Sequence, residues 1–86
     1  MIVKIKKGLA YRRIASEVFI VDAAKAEMHE LNGSAALIWE GLAAGKKEDA
    51  LVSALEAEFE TDAKTARAGV KAFIEELLAA RLIEKI

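Results

Sequence analysis

Met28-His29-Glu30-Leu31-Asn32-Gly33-Ser34-Ala35-Ala36-Leu37-Ile38-Trp39 contains the change from one periodicity to another. Between Ala26 and Leu31 apolar and polar residues roughly alternate, which is the period of a strand. Beyond Asn32 the apolar residues Ala35, Ile38, Trp39 and Leu42 recur at helical spacing. Asn32 suits the N-cap position, because its side-chain carbonyl can accept a hydrogen bond from a free N–H of the first turn. A strand delivered straight into a capped helix fixes the angle between a sheet and a helical bundle.

Upstream of this junction the chain reads as strands. Glu17-Val18-Phe19-Ile20-Val21-Asp22 is the strongest, with a β-branched and aromatic centre. Ile2 to Lys6 alternates, and Tyr11 to Ile14 is a weaker third segment. Ala23-Ala24-Lys25 is short enough to join Glu17–Asp22 to Ala26–Leu31 as an antiparallel hairpin. Downstream the period is helical. A first helix is expected from Gly33 to Ala43, stopped by Gly45 as a C-cap glycine. A second is expected from Lys47 to Glu58, with Leu51, Leu55 and Phe59 on its apolar face and Glu48 and Asp49 suiting its N-terminal dipole. Thr61 or Asp62 caps a third, running to Ala80. Its apolar stripe is Ala66, Val70, Phe73, Leu77 and Ala80, with Ile74 and Leu78 alongside. Leu82 to Ile86 reads as a terminal strand. The expected fold is α+β: a small N-terminal antiparallel sheet of about three strands, then a three-helix, winged-helix-like bundle on one side of it.

Composition narrows the function. Eighty-six residues make one domain, residues 1–86, with one modest core. Lys plus Arg number 13 and Asp plus Glu 14, so net charge selects no partner. The cations Lys4, Lys6, Lys7, Arg12 and Arg13 all precede Glu17, and this basic start reads as a solvated edge strand. The absence of cysteine removes disulfides, thiolate catalysis and cysteine-based zinc sites. His29, the single histidine, has no second histidine to share a metal with and reads as a packing or surface residue. No signal peptide and no membrane-length apolar run is present, which reads as a soluble cytoplasmic domain. No Ser/His/Asp set, phosphate-binding glycine loop or isolated carboxylate pair can be drawn; Glu75 and Glu76 point different ways around a helix. The expectation is therefore a protein that is not an enzyme and carries no metal or other cofactor.

Leu31-Asn32, Ala36 and Ile38-Trp39-Glu40, followed by Leu51, Leu55, Glu58-Phe59 and Thr61-Asp62, make an ordered series. It continues through Val70, Phe73-Ile74, Leu77-Leu78 and Leu82-Ile83-Glu84. In this order the residues resemble the PqqD-like family of peptide-chaperone domains, the RiPP recognition elements. The resemblance implies a non-catalytic domain that binds the leader segment of a ribosomally made precursor peptide. It would present that peptide to a modifying enzyme such as a radical-SAM protein. It further implies that the leader adds as a strand to the edge of the family's third strand and lies in the cleft against the third helix. Such β-augmentation draws affinity from main-chain hydrogen bonds and selectivity from side-chain pockets.

On that reading the recognition edge is Ala26, Glu27, Met28, His29 and Glu30, with Met28 itself read as core by its type. Lys64, Arg67, Lys71, Ile74 and Leu78 recur at i, i+3, i+7, i+10 and i+14 along the third helix, a cationic end grading into an apolar one. This stripe is expected to receive a leader with acidic and aliphatic anchors. Trp39 is expected as a core anchor, in register with Ala35, Ile38 and Leu42. Two rival readings remain: a winged-helix DNA-binding protein using Asp62 to Ala80, and a docking module for a folded partner. Against the first, Asp62, Glu75 and Glu76 offset the cations, whereas a DNA reader carries a clear basic face.

Overall fold

The central strand decides which residues turn inward. In a computed structural model, which describes residues 3–85, Glu17–Asp22 forms β3, paired antiparallel on one side with β2, Leu9–Ile14, and on the other with β4, Glu27–Asn32. Its alternation is sharp: Val18, Ile20 and Asp22 are buried, while Phe19 and Val21 point to the opposite face. The ladder register carries that choice to both neighbours. Leu9, Tyr11 and Arg13 lie on the inner face with Val18 and Ile20, as do His29 and Leu31.

Three helices cover the inner face: α1, Gly33–Ala43; α2, Glu48–Phe59; and α3, Ala63–Ala79. The core joins Val18 and Ile20 to Ile38, Trp39, Leu51, Val52, Leu55, Val70, Ile74 and Leu77. Trp39 is fully buried, as its register implied, and Tyr11 meets its ring edge to face at 5.5 Å and 84°.

The helix ends follow local chemistry. Gly45 has φ +80°, its N–H donates to the Leu42 carbonyl and the Lys46 N–H donates to Gly41, so α1 closes in a Schellman motif. The same pair of bonds ends α3, from Arg81 to Leu78 and from Leu82 to Leu77, with Arg81 at φ +61°. That turn sends Leu82 and Ile83 back into the core. It leads into β5, Ile83–Lys85, which pairs antiparallel with β1, Val3–Ile5.

The architecture is α+β, with corrections of detail. The first strand leaves the three-stranded sheet to pair with the last, and Ile2 and Ile86 lie outside the described residues. Asn32 has the extended backbone of a cap, but its side chain makes no cap hydrogen bond. Gly33 follows it at φ +55°, so the first turn does not begin in the right-handed geometry that presents its N–H groups to a cap. Asp62 does cap α3, accepting from the Thr65 N–H at 2.7 Å. Ala80 is exposed, and Ile74 takes the inner position assigned to Phe73, which is half-buried. No helix among the described residues is long and apolar enough to cross a membrane.

Candidate functional site

In the order β2-β3-β4, one side of β4 is paired and the other is not. In an antiparallel pair, alternate residues aim their N–H and C=O groups away from the partner strand. Along Glu27 to Asn32 these groups form an open ladder edge. Ala26 is not part of it: with φ +54° it closes the turn from Ala23, whose carbonyl accepts its N–H. Asp22 shapes that turn, its Oδ1 accepting from the Lys25 N–H at 3.3 Å. Met28 is 69% exposed on the outer face of the sheet, not in the core. The parity is set by His29 standing opposite Ile20, which forces Met28 outward beside Val21. His29 is half-buried toward the helices, with its Nε2 enclosed and without a hydrogen-bond partner.

Where β4 ends a groove begins. Ser34 and Ala35, which follow the strand through Gly33, form one wall of a cleft of about 490 Å³. The opposite wall is α3, through Thr65, Ala66, Gly69, Ala72, Phe73 and Glu76; Leu55, Phe59 and Thr61 close the end. Ile38, Leu55 and Ala66 form a buried floor. Phe59, expected on the core face of α2, is 44% exposed here. Small side chains keep the α3 wall low, and Glu76 is the single charged residue lining the cleft. Such a cleft can hold an apolar side chain, with hydroxyls and one carboxylate at its margins.

The stripe assigned from sequence to α3 lies elsewhere. At 3.6 residues per turn, Lys64, Arg67, Lys71, Ile74 and Leu78 fall on the flank roughly opposite Thr65, Gly69, Ala72 and Glu76, with the core face between. Arg67 is held by α2, donating from Nη1 to Glu48 Oε2 at 2.5 Å and from Nη2 to Asp49 Oδ1 at 2.9 Å. These carboxylates raise its pKa further. Ile74 is 5% exposed and belongs to the core. The free strand edge expected from sequence is that of β4, and a cleft does lie against the third helix, but none of the α3 residues that line it is among the site residues expected from sequence. A signal was available: Thr65, Gly69, Ala72 and Glu76 stand at i, i+4, i+7 and i+11, with a glycine inside a helix that gains nothing from it. Among the described residues, no three His, Cys, Asp or Glu side chains converge as metal ligands.

Residues 17–83 match the family described as Coenzyme PQQ synthesis protein D (PqqD). Two solved structures are similar over nearly the whole chain. TbiB1 in complex with the TbiA(beta) leader peptide has a TM-score of 0.90 at 25% identity, covering 96% of each chain. Lasso peptide synthetase B1 complexed with the leader peptide has a TM-score of 0.88 at 19% identity, covering 98% of this chain and 99% of that one. No curated protein matches the chain.

Proposed function

The chain belongs to the PqqD family, and from that premise we propose that it binds the leader segment of a ribosomally made precursor peptide. The peptide adds as a strand to β4, and the complex is presented to a modifying enzyme such as a radical-SAM protein. The observation that carries this reading is the unpaired edge of β4, a strand that runs straight into α1, whose first-turn residues Ser34 and Ala35 line the groove against α3. An edge alone holds any extended peptide; a pocket at its end makes the choice. The leader complex of TbiB1 supports the same assignment.

The proposed contact set is the backbone of Glu27, Met28, His29 and Glu30, with Ala26 at the turn, followed by the groove residues of α3. The family role is binding, not catalysis. The rival DNA-binding reading loses support from Arg67, whose guanidinium is already occupied by two carboxylates.

Amide hydrogen exchange tests the proposal, using the leader of a precursor peptide encoded beside the gene. Bound leader should slow exchange at alternate residues between Glu27 and Asn32, where the N–H groups face away from β3. The amides of α3 should change less, being bonded within the helix already. Protection confined to Lys4–Arg13, or none at β4 at saturating peptide, would refute strand addition here.

A further inference from the structure

The sheet face turned away from the helices has a pattern that neither the core nor the leader site uses. The ladder register sets it out as rows: Ala10, Val21 and Met28; then Arg12, Phe19 and Glu30; then Ile14, Glu17 and Asn32. An antiparallel sheet covered on one side ordinarily turns polar residues to the other. Here Ile14, Val21 and Met28 are 53%, 42% and 69% exposed, and Phe19 is half-buried among them. They form a continuous apolar centre with Arg12 on one edge and Glu30 on the other. Two strand spacings, roughly 10 Å, separate those charges, with Phe19 between them. Arg12 takes part in none of the ion pairs among the described residues.

Such a face complements itself. We propose that it docks a second copy of this chain about a two-fold axis running along β3, setting Arg12 of each copy on Glu30 of the other. The same rotation stacks Phe19 on Phe19 and Val21 on Val21, and sets the small Ala10 against the long Met28. Charge selects this axis: a two-fold at right angles to the strands would place Arg12 on Arg12 and Glu30 on Glu30. The contact is isologous and closes as a dimer. It is also weak. Three short strands offer well under the ~800 Å² per partner of a stable interface, and Glu17 meets its own counterpart in the outer row, so the expected Kd is on the order of 0.1 mM. A strand added beside β4 lies outside the second copy's β2, so leader binding and pairing are compatible. The proposal does not depend on the leader reading.

Sedimentation of the full chain from 0.01 to ~1 mM tests it. Wild type should shift toward dimer across that range. Arg12→Glu and Glu30→Arg should each weaken association at least tenfold, with unchanged circular dichroism, since both side chains are exposed. An equimolar mixture of the two variants should associate again, because both contacts then join opposite charges. Val21→Lys should abolish pairing in every background. The proposal is overturned if wild type stays monomeric at 1 mM. It is equally overturned if the dimer survives Arg12→Glu, or if the folded variants fail to restore each other. A folded modifying enzyme captured by this face, with the chain itself monomeric, would overturn it too.

Discussion

Two helical glycines, Gly41 and Gly69, have opposite reasons to be glycine. A Cβ on Gly41 would run into Leu51 Cδ2, and Leu51 is itself 1% exposed, so α1 and α2 pack at a distance that only hydrogen allows. Gly41→Ala should therefore cost about 1–3 kcal/mol through overpacking, read as a lower urea midpoint. A Cβ on Gly69 would meet nothing within 4 Å. Gly69→Ala should stabilise the fold by roughly 0.5–1 kcal/mol, because glycine inside a helix forfeits that much to backbone entropy. The space left open over Gly69 belongs to the groove, where the leader is proposed to lie. Gly69→Leu should then leave the fold intact and weaken leader binding at least tenfold by titration calorimetry. Arg67→Glu and Lys71→Glu, on the far flank of α3, should change that affinity less than twofold. The reverse pattern would return the site to the cationic flank.

At the scale of elements, capping and strand pairing give two groups with opposite responses to pH. Asp62 is held below its ordinary 3.8 by the hydrogen bonds from Thr65 at the start of α3. Its contribution is present above pH 3.8 and is lost as pH falls through the lower folded value. Glu17 is raised from 4.5 by Glu30, on the neighbouring strand. Stability from that shift is full below pH 4.5 and is lost as pH rises through the folded value, because the ionised pair then repels. Glu17→Gln should raise the urea midpoint at pH 7 and flatten its decline between pH 4.5 and neutrality. Asp62→Ala should lower the midpoint at neutral pH, by an amount that shrinks as pH falls below 3.8.

Elements such as β3 and α1 were legible to the residue, because period, β-branching and Gly45 all act locally. What escaped was nonlocal. Met28 and Leu31 have opposite parity on β4, and only the pairing of His29 with Ile20 decides which of them is inside. The cationic stripe of α3 is plain in the sequence, yet its orientation toward α2 follows from how Glu48 and Asp49 approach Arg67. The groove is legible only along α3, whose small residues recur at helical spacing; its other wall and its end come from α1, α2 and Thr61, which only the packing brings together.

The whole molecule is closed by pieces from its two extremities. Leu82 and Ile83 are 3% and 2% exposed, and Val3 and Ile5 pack against the same core. A domain of this size holds a net stability of about 4–13 kcal/mol. Ile83→Ala, expected to cost about 2–4 kcal/mol, would remove a large part of it and should show as a markedly lower Tm. The pairing also determines how the domain yields to a pull. Val3 stands opposite Lys85 and Ile5 opposite Ile83, so tension applied through residues 3 and 85 loads the ladder one rung at a time from its open end. Forced unfolding reports the barrier to opening, not the equilibrium stability. Stretched in this direction, β1 and β5 unzip at low force. A peptide lying along β4 and drawn lengthwise would have to slide past all its bonds together.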